Sequence, residues 1–266
     1  MELNVQGRTA YAYTGGKPFD ASLPCVVFIH GALHDHSVWT LLARWFAHHG
    51  HAVLALDQPG HQRSAGPVLP DIEALADWVL ALLGAAGVAR AALVGHSMGS
   101  LIALEAAAHA PERATHLAML GTAYPMKVSA ALLDMARDHP LKAIDMTNAF
   151  SHAGFAAKPS YPGPGSWLHG GNRALMRRVQ AGQADVNLFH HDFGVCDRYA
   201  GGLQAAARVR CPVSVIAGDH DQMTSPKLTR EIALALKAQV HRVPAGHAMM
   251  QEAPDAVLAL LRGALG

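Results

Sequence analysis

A serine between two glycines lies where a strand-like run of residues changes into a helix-like run. Residues 91–94 form a short apolar stretch typical of a buried strand, and residues 101–110 form an alanine-rich stretch typical of a packed helix. The motif between them, Gly95-His96-Ser97-Met98-Gly99, therefore predicts a sharp strand-to-helix turn. Side chains two positions before and after Ser97 would not fit in such a turn, so both positions suit glycine. The turn would present the Ser97 hydroxyl as a candidate nucleophile.

Two backbone amides near this turn are candidates for binding negative charge. Met98 lies where the first turn of the helix is expected, so its amide has no acceptor within the helix, and the helix dipole favours an anion there. A second apolar strand, at residues 25–29, ends at His30-Gly31-Ala32, where the glycine permits a sharp exit. Ligands gather at the carboxyl ends of strands in open parallel sheets. We therefore expect Ala32 and Met98 to form an oxyanion hole, with Leu33 as the alternative to Ala32.

Strand-like and helix-like runs alternate along most of the chain, after a hairpin-like edge at residues 3–13. Buried strands are predicted at residues 25–29, 51–57, 91–94, 116–120, 212–217 and 240–243. Helices are predicted at residues 37–49, 71–87, 101–110, 226–238 and 254–261. Such regular alternation predicts an α/β fold with a doubly wound, mostly parallel sheet of about eight strands.

The alternation stops between residues 124 and 207, which we call the cap segment. It contains helical patches at residues 130–137 and 174–181, separated by a stretch rich in proline and glycine, and has no strand-like apolar run. We expect an α/β core of residues 1–123 and 208–266, with residues 124–207 as an inserted helical cap that roofs the site. Phe150, Phe155, Trp167 and Phe189 are candidates to line the pocket, although they could instead form the cap's own core.

Length and charge limit the classes of protein that this sequence can represent. A chain of 266 residues suits one large domain with an insertion, and a net charge of +1 disfavours binding to nucleic acids. We expect a cytoplasmic protein that acts on a small molecule, because we find neither an export signal nor an apolar run of the ~20 residues that a membrane span needs.

The cysteines and histidines do not have the spacing of a metal site. Cys25, Cys196 and Cys211 are odd in number and form no Cys-x-x-Cys pair, so neither disulfides nor a zinc site are expected. The clusters His34-Asp35-His36 and His190-His191-Asp192 lack two histidines at helical spacing beside a carboxylate. We therefore expect neither a metal nor a cofactor.

A serine hydroxyl is a poor nucleophile at neutral pH and needs a base that is oriented by a carboxylate. His247 follows the last predicted strand, and an aspartate near position 220, either Asp219 or Asp221, follows the strand before it. With Ser97 they form a catalytic triad in the order nucleophile, acid, histidine, each at the carboxyl end of a strand. His241 is the competing histidine, but it lies inside a predicted strand, where packing is the default role.

Over essentially its whole length the chain resembles the α/β-hydrolase superfamily. The matching motifs are His30-Gly31, Asp57-Gln58-Pro59-Gly60-His61, Gly95-His96-Ser97-Met98-Gly99, Gly218-Asp219-His220-Asp221 with Pro226, and Gly246-His247. The resemblance implies that Asp221 rather than Asp219 is the acid, and that Ala32 and Met98 are the oxyanion donors. One departure from the family pattern is Gln62, where relatives often have glycine.

The resemblance also limits the chemistry. Haloalkane dehalogenases and epoxide hydrolases of this superfamily have an aspartate where this chain has Ser97, so hydrolysis through an acyl-enzyme is implied. We expect carboxylic ester hydrolysis, with C–C bond hydrolysis, lactone hydrolysis and cofactor-free perhydrolysis as alternatives. A C–C hydrolase would need a polar pocket, to which Arg173, Arg177 or Arg178 could contribute. A ligand sensor that keeps the triad is a further alternative.

Overall fold

A single sheet of eight strands organises the part of the chain that the computed structural model describes, residues 1–182 and 185–266. The strands lie in the order β1-β2-β4-β3-β5-β6-β7-β8; β1 and β2 are antiparallel, and the other strands are parallel to one another. Their bounds are β1 Glu2–Val5, β2 Arg8–Tyr13, β3 Cys25–Ile29, β4 Ala52–Leu56, β5 Ala91–His96, β6 Ala114–Leu120, β7 Val213–Gly218 and β8 Gln239–Val243. The predicted α/β class and the mostly parallel sheet are therefore confirmed.

Helices cover both faces of this sheet and its carboxyl edge. They are α1 Thr40–His48, α2 Ile72–Ala85, α3 Met98–His109, α4 Ala130–Asp138, α5 Pro140–Ser151, α6 Leu168–Ala181, α7 Leu188–Arg198, α8 Gly202–Ala206, α9 Arg230–Ala235, α10 Met249–Glu252 and α11 Pro254–Leu265, with a short 3₁₀ helix at His36–Trp39. Across the described residues, none of the helices combines the length and the apolar character that a membrane span requires.

The core has two layers because neighbouring residues of each strand face opposite sides of the sheet. In β5, Leu93 packs in the layer under α2 and α3, whereas Val94 packs in the layer that contains Trp39 and Phe28. Both layers are fully or almost fully buried at the central strands. Strand β5 lies between β3 and β6, so the turn that follows it is at the centre of the carboxyl edge.

The first two strands form the expected hairpin, with its turn at Gln6-Gly7. Both turn residues have positive φ, 52° and 81°, as two-residue hairpin turns require. Glycine at the second position adopts this conformation without steric cost.

The helix predicted at residues 226–238 is wrong at its start, because α9 begins only at Arg230. The Leu228 carbonyl accepts a hydrogen bond from the Tyr124 amide at 3.2 Å, and the Thr229 hydroxyl donates to the Thr122 carbonyl at 2.7 Å. These contacts hold the segment against the end of β6 instead of in a helix. Proline at position 226 therefore precedes a turn.

The described part of the cap segment contains five helices, α4 to α8, and no strand beyond an isolated bridge between Tyr161 and Trp167. The sequence predicted only α4 and part of α6. Buried polar residues such as Asn148 in α5 and Asp192 in α7 interrupt the apolar pattern that would have identified those helices. The division of the chain at residues 124 and 207 stays a prediction.

The two glycines of the central turn are required by close backbone packing. A Cβ atom at Gly99 would overlap the carbonyl oxygens of Ile29 and His30 in and beside β3. A Cβ atom at Gly95 would overlap the backbone of Gly99 itself. Helix α3 therefore approaches β3 and β5 as closely as a backbone without side chains allows.

We predict that Gly99→Ala lowers the free energy of unfolding by more than about 2 kcal/mol, because the added methyl group must displace two strand carbonyls. Urea unfolding measures the change. Gly84→Ala is the matched control: Gly84 is exposed on α2 with no atom near the position of the new Cβ. It should instead raise stability by about 0.5 kcal/mol. Equal effects of the two substitutions would contradict the close packing at Gly99.

Candidate active site

Ser97 has a strained backbone that presents its side chain at the carboxyl edge of the sheet. Its φ and ψ are 53° and −122°, a conformation that non-glycine residues rarely adopt. The Ser97 amide donates to the Leu120 carbonyl at 2.9 Å, and the Ser100 hydroxyl donates to the Ser97 carbonyl at 2.6 Å. These bonds from the neighbouring strand and helix hold the turn in place.

His247 and Asp221 are in direct contact. His247 Nδ1 lies 2.8 Å from Asp221 Oδ2, and both side chains are buried. The amides of Met223 and Thr224 each donate to Asp221 Oδ1 at 2.8 Å, and the Thr224 hydroxyl donates to Oδ2 at 2.7 Å. Burial by itself favours the protonated carboxyl, but the contacts with His247 and Thr224 outweigh it and hold the pKa of Asp221 well below its usual value. Asp221 is therefore an ionised acceptor with a fixed orientation.

The other candidates near this pair have different surroundings. Asp219 is partly exposed, and its carboxylate pairs with Arg242 at 2.6 Å rather than with His247. His241 lies within β8, opposite Ile216 of β7. Thr224, which also lies 3.1 Å from His247 Nδ1, had no sequence signal that distinguished it from an ordinary loop threonine.

His96 and Gly121 hold the His247 ring from behind. The His96 Nε2–H donates to the His247 carbonyl at 2.9 Å, and the two ring centroids are 4.6 Å apart. Burial, followed by the proximity of His247 and His34, holds the pKa of His96 well below its usual value, so this donor is neutral. Gly121 has φ +53°, and a Cβ there would lie 3.2 Å from His247 Nδ1. A side chain at position 121 would crowd the His247 ring, and glycine leaves the ring room.

Ser97, His247 and Ala32 line one small cavity at the carboxyl edge of the sheet. They follow β5, β8 and β3, which are parallel, so their loops meet at the same edge as expected. In the described part of the chain, the Ser97 hydroxyl forms no hydrogen bond with His247. A hydrogen bond between a serine nucleophile and its histidine base is often long in the absence of substrate and shortens when substrate binds.

The amide of Leu33 is already occupied, which leaves Ala32 as the candidate donor in this loop. Leu33 N–H donates to Asp192 Oδ2 at 2.8 Å, and Leu33 is fully buried. A Cβ at Gly31 would lie 3.1 Å from Ser97 Cβ, so the loop packs directly against the central turn. Met98 is the first residue of α3, and its amide therefore has no acceptor within the helix.

A larger cavity of about 300 Å³ opens beside Ser97 and Ala32. Most of the side chains that line it are apolar, among them Met126, Leu132, Met146, Phe150, Phe193, Cys196 and Met223. Lys127, Ser129, Thr147 and Gln222 are polar members of the lining. The structure therefore places a mainly apolar pocket, built largely from the cap segment, next to the serine.

Of the four aromatic residues predicted for the pocket, Phe150 lines it and the other three do not. Phe189 is fully buried and stacks on Phe193 at 4.5 Å, so it supports the wall from behind. Phe155 and Trp167 are 40% and 47% exposed on the surface of the cap segment. Phe193 and the methionines were missed, because a helical apolar stripe does not show which of its members face a cavity.

The three arginines of α6 are bound to carboxylates. Arg173 and Arg177 both pair with Asp145, at 2.7 and 3.0 Å, and Arg178 pairs with Asp35 at 2.8 Å. None of the three is among the described residues that line the cavity. The described lining of the pocket therefore contains no arginine of the kind that would favour a dioic acid.

Among the described residues, one group of three possible metal ligands lies close together, namely Asp35, His36 and Asp57, with their ligand atoms within 4.8 Å of one another. His36 Nδ1 lies 2.7 Å from Asp57 Oδ1, and Asp35 caps the 3₁₀ helix by accepting from the Ser37 amide at 2.8 Å. These side chains therefore hold the loops after β3 and β4 together.

The loop after β4 also contains Gln62, the one departure from the family pattern noted in the sequence. Gln62 has φ +42°, a backbone conformation that glycine adopts more easily. The turn nevertheless forms, with Gly60 at φ +79° two residues earlier. The turn therefore tolerates glutamine at position 62, at some cost in backbone conformational energy.

The chain belongs to the alpha/beta hydrolase family, whose model matches residues 26–260. RutD, a protein of Klebsiella pneumoniae that is named as a proposed carbamate hydrolase, is similar to this chain. The two are 27% identical over 258 residues, which cover 91% of each chain. The (E)-2-((N-methylformamido)methylene)succinate hydrolase of Acinetobacter baylyi is 30% identical over 216 residues, 78% of this chain and 76% of its own.

Solved structures share the same fold. The enol-lactonase from Burkholderia xenovorans LB400 superposes with a TM-score of 0.84 at 23% sequence identity, covering 100% of this chain and 99% of its own. At this identity the likeness shows the fold. Family and fold together make this protein a hydrolase.

The low pKa of Asp221 predicts how stability depends on pH. A carboxyl whose folded pKa lies below its unfolded value stabilises the fold above the unfolded pKa, and this contribution is lost as the pH falls toward the folded pKa. The difference in unfolding free energy between wild type and Asp221→Asn should therefore be constant near pH 7 and shrink below about pH 4. Urea unfolding over this range measures it, with Asp219→Asn as the exposed control. A difference that is unchanged down to about pH 3 would contradict the stabilised carboxylate.

Proposed function

We propose that this protein is a serine hydrolase that cleaves a carboxylic ester through an acyl-enzyme on Ser97. The observation that supports this most strongly is the 2.8 Å contact between His247 and Asp221. His247 lines the same small cavity as Ser97, whose backbone has a positive φ. A base with a fixed tautomer beside such a serine is the arrangement that acyl transfer requires.

In the proposed reaction, His247 Nε2 accepts the Ser97 proton as Oγ attacks the carbonyl carbon of the ester. The amides of Ala32 and Met98 stabilise the negative oxygen of the tetrahedral intermediate. Asp221 keeps a proton on Nδ1, so that Nε2 is free to act as the base, and it stabilises the imidazolium that forms. His247 then protonates the departing alcohol, and the acyl group remains on Ser97.

Deacylation repeats these steps with water. His247 Nε2 takes a proton from water as the water oxygen attacks the acyl carbon, and the same two amides stabilise the second oxyanion. The proton then returns to Ser97 Oγ as the carboxylic acid leaves. The cycle consumes one water and one ester, yields one acid and one alcohol, and requires no cofactor.

The cavity favours a substrate with an apolar acyl or alcohol group. Its walls include Met126, Met146 and Met223, whose flexible thioethers adapt to different shapes, together with Phe150 and Phe193. A volume of about 300 Å³ is at the lower end of ligand pockets, which suits a short or medium chain.

The same groups could serve related reactions. Lactone hydrolysis follows the same steps on a cyclic ester, and perhydrolysis replaces water with hydrogen peroxide. C–C bond hydrolysis of a dioic acid is less favoured, because Arg173, Arg177 and Arg178 are paired with Asp145 and Asp35 outside the cavity lining. A sensor of small apolar ligands would use the same cavity without turnover.

We predict that Ser97→Ala lowers kcat for p-nitrophenyl esters by at least about a thousandfold, because no other group on the turn can form the acyl-enzyme. Turnover is measured on a series of acyl chain lengths and, in parallel, on a vinylogous diketone. Far-UV circular dichroism should be unchanged, and Ser22→Ala, at an exposed serine remote from the cavity, is the control.

Each outcome of this experiment bears on the proposal. Ester turnover that survives in Ser97→Ala would exclude Ser97 as the nucleophile. Turnover of the diketone but not of the esters would replace ester hydrolysis with C–C hydrolysis. Ligand binding without turnover of either substrate would identify a sensor.

We also predict that Asp221→Asn lowers kcat by up to ~10⁴-fold, because the amide favours the wrong tautomer of His247. Asp219→Asn should change kcat less than about twofold, since its carboxylate pairs with Arg242 instead. The measurement is kcat/KM for both variants, with melting temperatures as the folding control. A larger loss in Asp219→Asn would reverse the assignment of the acid.

A further inference from the structure

A buried carboxylate of the cap segment contacts the loop that follows β3. Asp192 lies on α7, and its side chain is 2% exposed. Its Oδ2 accepts from the Leu33 amide at 2.8 Å and lies 3.0 Å from His61 Nε2, while Oδ1 lies 3.1 Å from His191 Nδ1. This one side chain therefore joins the cap segment to the loops that follow β3 and β4.

The peptide unit between Ala32 and Leu33 is held at both ends. Its carbonyl oxygen contacts His34 Nδ1 at 2.7 Å, and its N–H donates to Asp192. Leu33 has φ +56°, which is unfavourable for a leucine, so outside contacts must maintain this conformation. The preceding peptide, which carries the Ala32 N–H, joins Gly31 to Ala32, and both of these residues line the cavity with Ser97.

The orientation of Asp192 is itself fixed by His61. His61 Nε2 faces the Asp192 carboxylate, and Nδ1 faces the Pro59 carbonyl at 3.3 Å, so both ring nitrogens face acceptors. The doubly protonated ring satisfies both. Burial lowers the pKa of His61, but the Asp192 carboxylate outweighs it and raises the pKa overall. Burial alone would raise the pKa of Asp192, but His61 and its other donors hold it below the usual range.

We propose that Asp192 is a positioning residue, which fixes the Ala32–Leu33 peptide from the cap segment and thereby aims the Ala32 amide at the oxyanion. This inference rests on the proposed function, because it assumes that the Ala32 amide stabilises an oxyanion formed at Ser97. It assigns the cap segment a role in the rate of the reaction in addition to selectivity. Small errors in the position of such a donor reduce catalysis strongly.

The test compares Asp192→Ala with Asp192→Asn. Asp192→Ala removes the acceptor of the Leu33 amide, so kcat for a short p-nitrophenyl ester should fall about tenfold or more while KM changes less than about twofold. Asp192→Asn keeps a carbonyl oxygen that can accept the same bond and should restore most of kcat. Both variants lose the charge that pairs with His61, so both should lower the melting temperature. Asp138→Asn, at an exposed cap aspartate, is the control.

A second measurement does not depend on turnover. Hydrogen exchange of the Leu33 amide should be at least about tenfold faster in Asp192→Ala than in wild type, and close to wild type in Asp192→Asn. If Asp192→Ala does not fold, the double variant His61→Leu with Asp192→Leu also removes the acceptor, and it replaces the buried pair by apolar side chains, a change that proteins often tolerate.

The results separate this inference from the proposed function. Wild-type kcat or wild-type Leu33 exchange in a folded variant without the acceptor would overturn the role of Asp192. Loss of kcat to the same extent in Asp192→Asn and Asp192→Ala would also overturn it, because the effect would then follow the charge and not the acceptor. Absence of ester turnover in wild type would refute the proposed function, while Leu33 exchange would still decide whether Asp192 positions this peptide.

Discussion

The close approach of α3 to β3 is the constraint on which the rest of the site depends. Gly99 lies against the carbonyls of Ile29 and His30, where no Cβ atom fits. This contact forces the chain to turn within one residue, and Ser97 takes the positive φ that results. A long loop at this position would not fix the Ser97 side chain at one place beside the cavity. Ala32, Asp221 and His247, which follow β3, β7 and β8, are then arranged around this one turn.

The cap segment is bound to the loops of the candidate site on two sides, in addition to lining the cavity beside Ser97. The Ala248 amide, next to the candidate base, donates to the Ser151 carbonyl at 2.9 Å. The Ala153 amide donates to Glu252 at 3.1 Å, which joins the end of α5 to α10. Asp192 makes the corresponding contact with the loop after β3. Because these bonds are buried, cap and core are expected to order each other, and pocket shape is coupled to the positions of the reacting groups.

Burial determines the charge of the histidines around this site, with opposite results. His96 is buried beside another imidazole, so desolvation holds its pKa well below the usual value and it remains a neutral donor. His61 is equally buried but faces Asp192, which raises its pKa. Histidine therefore acts as a neutral hydrogen-bond donor at position 96 and as part of an ion pair at position 61. The neighbouring groups, which come from distant parts of the chain, make the difference.

The sequence by itself determined the features that depend on local patterns. The motif around Ser97, the apolar strands and the order of strands and helices all reflect requirements within a few residues, and the sequence also located His247 and the two aspartates near 220. The resemblance to a known family favoured Asp221 over Asp219, and the tertiary structure places Asp221 against His247. Only the tertiary structure selected Phe150 from the four candidate aromatic residues, added Phe193 to the cavity and joined Asp192 to the loop after β3. Asp192 and Leu33 are 159 residues apart, and no local periodicity encodes such a contact. A buried polar side chain in a helix obscures the apolar pattern, so the residues that join cap to core were the ones that sequence patterns could not reveal.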